Sequence, residues 1–252
     1  MSEVKLREKS FTAKMGMGNT HPAVLAVWAA VIAVAHMLPS IPILGTGGTF
    51  SVSSALVPLA GVFFGPIGGA LCAAIGNFIG QIIAPHTAWA GIGTFLIGTI
   101  NAFVSGTVSR GKWPIAVGII ALGTVLWFTH EIGRQAPFFA IVFYGLGAIM
   151  AIIGGTIGTK LIKEANFFKK FIAVWLASFA GMVGAAALAN YFSLVVYQLP
   201  ASLWNMLIPI SPTERTIFSI GAGIIGVPLL IGLPKIGIFV GPEAGLEDDD
   251  ED

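Results

Sequence analysis

Val57-Pro58-Leu59-Ala60-Gly61-Val62-Phe63-Phe64-Gly65-Pro66-Ile67-Gly68-Gly69-Ala70-Leu71-Cys72-Ala73-Ala74-Ile75-Gly76-Asn77 is the stretch on which the reading of this chain turns. It is apolar on both sides of Gly65-Pro66. Proline fits the first turn of a helix, where a backbone N–H is not needed, and glycine fits the end of the helix before it. Two apolar helices are therefore expected to meet here with almost no loop. Small residues recur at a spacing of four around and beyond the turn, at Gly61, Gly65 and Gly69 and again at Gly76 and Gly80. That spacing puts them on one helix face and lets a neighbouring backbone come close.

Outward from this stretch the composition stays apolar, with 56% hydrophobic residues, 10% charged residues and a mean hydropathy of +0.89. A chain of this kind cannot keep its surface in water as an ordinary globule and reads as an integral membrane protein. Its 33 glycines are spread through the apolar runs, which favours close-packed helices over a barrel of alternating strands. The expected fold is all-α, a polytopic membrane helix bundle of about eight spans: 22–38, 52–64, 66–84, 89–109, 114–129, 136–159, 171–195 and 214–234. Residues 1–20 form a polar, basic N-terminal segment without a cleavage pattern, 21–236 the transmembrane domain, and 237–252 an acidic, solvated and disordered tail. The single cysteine, Cys72, excludes an internal disulfide and a multi-cysteine metal site.

Charge gives the orientation. With both termini in the cytoplasm, Lys5, Arg7, Lys9, Lys14, Arg110, Lys112, Lys160, Lys163, Lys169, Lys170 and Lys235 fall inside, and Arg134 and Arg215 fall outside. Positive charge is retained on the cytoplasmic face, so the bias supports an even number of spans. The outer arginines stand beside Glu131 and Glu214 and are the first places to look for a ligand.

No catalytic or metal set emerges. His130-Glu131-Ile132-Gly133-Arg134 begins like a zinc-protease helix but has arginine where the second histidine belongs. There is no G-x-S-x-G elbow and no P-loop lysine motif, so the chain is not expected to be an enzyme, to carry a cofactor or to bind ATP itself; nucleic acid is not an expected partner. No Asp, Glu, Lys or Arg lies in the middle of any proposed span, which argues against a carboxylate proton relay. Polar residues inside them are amides and hydroxyls, among them Asn77, Gln81, Asn101, Ser105 and Asn190, each of which must face another helix or a cavity. Asn77 and Gln81, one turn apart, are placed to share a pocket. Trp89, Trp127, Tyr197 and Trp204 near outer ends read either as interfacial anchors or as stacking partners for a flat ligand. The first span carries Ala26/Ala30 and Ala29/Ala33, a small-residue stripe that suits internal packing or a partner helix.

The segment from Val57 to Asn77 resembles the second and third helices of the substrate-binding S components of energy-coupling factor (ECF) transporters. The alanine stripe of the first span, and Pro212-Thr213-Glu214-Arg215 leading to Ile224-Ile225-Gly226-Val227-Pro228, are similar to other parts of that family. Members often carry aspartate where Asn77 stands, and their usual count is six helices, so the excess here reads as an added hairpin within 110–170. The resemblance implies a subunit in the cell membrane that binds a vitamin-like micronutrient and is energised by a transmembrane coupling subunit and two ATPase subunits. It implies a pocket near the outer surface drawn from Thr49, Ser51, Asn77, Gln81, His86, Trp89, Arg134, Asn190, Tyr197, Asn205 and Arg215, with Ala26, Ala29, Ala30 and Ala33 toward the coupling subunit. The alternatives are a self-sufficient secondary carrier or channel, and a non-transporting assembly or lipid-handling membrane protein.

Overall fold

The computed structural model describes residues 21–38, 41–42, 49–50 and 52–242. They form a helical bundle. Helix α1 is Pro22–Ala35, followed by a two-residue antiparallel ladder in which β1 (Ile41–Pro42) pairs with β2 (Thr49–Phe50). Helix α2 is Ser53–Ile83, and two 3₁₀ turns, Pro85–Thr87 and Gly91–Gly93, lead to α3 (Thr94–Ser109). Then come α4 (Trp113–Thr129), the single turn α5 (Glu131–Gln135) and α6 (Pro137–Ile153), which is prolonged by a π-helical stretch, Gly154–Gly158, and by Thr159–Leu161. Helices α7 (Phe167–Tyr197) and α8 (Ala201–Gly232) and a closing 3₁₀ turn, Leu233–Ile236, complete the order. Among the described residues five helices are long and apolar enough to cross a membrane, with Pro22–Ala35 and Trp113–Thr129 as shorter apolar ones.

The run 53–83 is two arms rather than one rod. Gly65 has φ 80° and ψ −178°, a conformation open in practice only to glycine, and Pro66 starts the second arm. A Cβ on Gly69 would lie 2.5 Å from the Cα of Gly61, so the arms fold back onto each other. The carbonyls at the end of the first arm find donors elsewhere. Arg110 Nη1 donates to Gly61 O at 3.0 Å and Val62 O at 3.3 Å, and Nη2 donates to Phe63 O at 3.3 Å. The N–H of Gly241 also donates to Phe63 O, at 2.9 Å. A cation at a helix C-terminus is favoured by the helix dipole as well as by these bonds.

Helix α1 runs parallel to the second arm. Cys72 Sγ bonds Leu25 O at 3.4 Å, a Cβ on Gly76 would meet Ala29 O at 2.7 Å, and one on Gly80 would strike the His36 ring. The two alanine pairs consequently part company: Ala29 and Ala33 are buried in the bundle, whereas Ala26 and Ala30 are exposed. Helix α7 is central, packing Gly181 on Asn101 and Gly184 on Val104 of α3, Ala187 on Gly123 of α4 and Val183 on Gly147 of α6. The Gly65 turn, Arg110–Lys112, 162–166 and the closing turn gather at one end of the bundle, called the near end; His36, 84–93, His130 and 198–200 lie at the far end.

Three expectations need correction. The segment 196–213, read as an outer loop, is helical except for Gln198–Pro200, since α7 reaches Tyr197 and α8 begins at Ala201. Pro209 and Pro212 sit inside α8 without stopping it, because its first turns bury Trp204 and Leu207 in an aromatic cluster and tertiary packing overrides the proline signal. Glu214 and Arg215, expected at the start of a span, therefore lie in the middle of a helix that is long and apolar enough to cross a membrane, which removes the premise that no span holds an ionisable group in its middle. Trp127 and Trp204 are not interfacial anchors: at 0% and 3% exposure they pack edge to face, 4.9 Å between ring centroids, with Phe139 against both. Beyond the closing turn Val240 is buried and the N–H of Gly241 donates to Phe63 O; residues 243–252, most of the expected tail, and 1–20 lie outside the described residues.

Candidate functional site

A cavity of about 170 Å³ opens between the end of α1, the second arm of α2, the 84–93 turns, α3, α7 and α8. Its rim includes His36, Thr87 and Trp89, and its inner wall includes Asn77, Asn101, Asn190, Glu214 and Arg215. The rim is built by hydrogen bonding. His36 Nε2 lies 3.1 Å from Asn77 Oδ1 and His36 Nδ1 lies 3.0 Å from Thr87 Oγ1. Asn77 Nδ2 donates to Ala73 O at 2.6 Å, which fixes the amide so that its oxygen accepts from Nε2–H. Thr87 N–H donates to Ala84 O, and its hydroxyl stands between Ala84 O, at 2.8 Å, and the His36 Nδ1 lone pair, with one proton to share between the two acceptors. One histidine thus ties α1, the second arm and the 85–87 turn together.

On the other side, Tyr197 OH donates to the Trp89 carbonyl, and the Trp89, Phe192 and Tyr197 rings cluster with centroids 6.2–6.5 Å apart. Asn190 Nδ2 donates to Tyr144 OH at 3.1 Å. Asn101 differs from the other amides. Its Oδ1 is buried and has no hydrogen-bond partner among the described residues, although the side chain lines the cavity. A buried acceptor left without a donor costs about 1–3 kcal/mol, and this oxygen packs against Gly181 of α7, where a Cβ would lie 2.6 Å from it. Glu214 and Arg215 are ion-paired at 3.6 Å, and the guanidinium carbon sits 6.0 Å from the centroid of the Phe143 ring.

Of the residues expected at a site, the structure brings Asn77, Trp89, Asn190 and Arg215 to the cavity wall. Gln81 is spent on the neighbouring turn, donating to Ile92 O at 2.9 Å and accepting from Phe95 N at 3.1 Å. Tyr197 reaches the rim only through the Trp89 carbonyl. Arg134 bonds Phe128 O and Thr129 O, capping α4, and it does not line the cavity. His86 and Asn205 are exposed and outside it. Thr49 is described only as part of β2, and Ser51 lies outside the described residues. Sequence reasoning missed His36, Thr87 and Glu214 as cavity residues, and it left Asn101 among the amides bonding between helices. The available signal for His36 was Gly80, a glycine that admits a ring.

Residues 20–136 match the family described as the ECF-type riboflavin transporter, S component. That match covers just under half of the chain, which over this stretch is similar to ECF S components, a family of membrane transport subunits. The matched residues supply α1 to α5, hence the rim and Asn101; α7 and α8, which supply Asn190, Glu214 and Arg215, lie beyond them. An uncharacterized protein of Methanocaldococcus jannaschii is 23% identical to this chain over 177 residues, 70% of this chain and 59% of that protein. The chain thus spans about three fifths of the length of the curated relative it matches. No solved structure matches it.

Proposed function

We propose that this chain is an ECF S component that captures a riboflavin-like vitamin, a planar heterocycle with N–H and C=O groups on one edge, and carries it inward when a transmembrane coupling subunit and two ATPase subunits supply the energy. The observation that carries this reading is the Asn101 carboxamide on the cavity wall, whose Oδ1 has no hydrogen-bond partner among the described residues and would need only a small rotation of the side chain to meet a ligand donor. A carboxamide offers one acceptor beside one donor, the complement of an imide or ureide edge. Apolar and aromatic walls, Trp89 and Trp204 among them, suit a flat ring.

The same proposal gives eight spans: α1, the two arms of α2, α3, α4, α6, α7 and α8. Exposed Lys112, Lys160, Lys163, Lys169 and Lys235 belong to the near end and Arg134 to the far end, which supports a cytoplasmic near end and a cavity open to the outside. Ala26 and Ala30, the exposed alanine pair, would face the coupling subunit. The direct test is a titration of the purified chain with riboflavin, read by flavin fluorescence, with mass spectrometry of co-purifying small molecules. No riboflavin binding and no co-purifying heterocycle would refute the substrate.

The Glu214–Arg215 pair inside α8 keeps a self-sufficient carrier in view as a second reading. Uptake into liposomes by this chain alone under an ion gradient separates the two.

A further inference from the structure

Glu214 and Arg215 are the acidic and basic side chains on the cavity wall, where the remaining lining residues are apolar, aromatic, amide or hydroxyl apart from His36. They are neighbours in the middle of α8, with side chains only 22% and 13% exposed and a charge separation of 3.6 Å. An arginine alone on such a wall would make the cavity a receptor for an anion, since guanidinium pairs well with carboxylate or phosphate. With the carboxylate of Glu214 held against it, the wall presents donors and an acceptor but no net charge. An anionic group entering here would gain from Arg215 and lose to Glu214 while giving up its hydration.

We propose that Glu214 is a specificity-determining residue: by cancelling the charge of Arg215 it fits the cavity to an uncharged ligand and turns away the phosphorylated form of the same molecule. This rests on the riboflavin-like reading above. The consequence for transport is that the ligand enters uncharged and that any phosphorylation follows uptake.

The test uses the full chain in lipid nanodiscs, titrated with riboflavin and with riboflavin 5′-phosphate. The wild-type chain should bind riboflavin at least tenfold more tightly than the phosphate. In E214Q this ratio should fall by at least tenfold through a gain for the phosphate, and in E214Q/R215Q, where neither charge remains, it should return toward the wild-type value. Taking the ratio cancels any general weakening of the site. If E214Q does not fold, E214D draws the carboxylate back by one methylene and should shift the ratio the same way by a smaller factor. A ratio unchanged in the variants, with riboflavin still bound, overturns the role of Glu214. Failure of the wild-type chain to bind riboflavin at all instead overturns the substrate reading, and this proposal with it.

Discussion

Replacing Asn101 by leucine, which is close in size, should make the empty protein more stable and its ligand binding weaker. In the ligand-free structure Asn101 Oδ1 is buried without a donor, a cost of about 1–3 kcal/mol that leucine removes. Leucine also suits the apolar surroundings of α3 and α7 and should leave packing against Gly181 close to its present state. With ligand bound, the balance reverses: one hydrogen bond of about 0.5–1.5 kcal/mol is lost and a ligand N–H is left unpaired, for a total of about 2–4 kcal/mol, or roughly 30- to 1000-fold in Kd. Thermal unfolding of the ligand-free chain in detergent and a riboflavin titration give the two numbers. Ser105→Ala is the control, because its hydroxyl is satisfied by Pro58 O at 2.8 Å and it does not line the cavity. That change should lower stability by about 1 kcal/mol and leave affinity alone. If Asn101→Leu is less stable than wild type and binds riboflavin unchanged, the amide is a structural element and the reasoning fails.

Arg110→Met should cost about 2–4 kcal/mol of stability, since three carbonyls at the end of the first arm lose a charged donor; Arg110→Lys should recover only part of it in the same unfolding assay, as one ammonium cannot reproduce the guanidinium fork. Ala29→Trp should prevent folding, because Ala29 is 3% exposed and packed on Gly76, whereas Ala26→Trp should fold, keep ligand affinity and abolish ATP-dependent uptake in the full complex. Normal uptake by Ala26→Trp would remove that face from the coupling interface. In a chain lacking Cys72, a cysteine at Gly133 should react with an impermeant thiol reagent on intact cells and one at Gly111 should not; labelling at Gly111 would overturn the eight-span topology.

Much of the bundle is legible in the sequence because hydrophobic runs and Gly-Pro punctuation are local signals. The expected breaks at 64/66 and the segments 114–129 and 136–159 lie within a few residues of the arms of α2, of α4 and of α6 with its extension. Residues 196–213 misled for an equally physical reason. Their three prolines, two serines and threonine read as a loop, while the decisive term is burial of Trp204 and Leu207 against residues some 60 to 80 positions away. The site follows the same division. Asn77, Trp89, Asn190 and Arg215 stand out as polar or aromatic residues in apolar runs, whereas His36 gains its role only when the second arm and the 85–87 turn come to it. Arg134 and Arg215 look alike in sequence, each beside a glutamate, and only the fold distinguishes a cap on α4 from a side chain on the cavity wall.

The Gly65 turn has a consequence for biogenesis. Its two arms are made before α3, yet the carbonyl of Phe63 receives its donors from Arg110 and from Gly241, which lies beyond α8. A ribosome delivering helices to the membrane in order therefore leaves this hairpin tip bare at the lipid–water boundary until α3 arrives, and finished only when residues beyond α8 emerge. The stretch beyond α8 acts as a closing stitch on this hairpin, so a polypeptide cut before residue 241 would lack that bond and leave the Phe63 carbonyl to Arg110 alone.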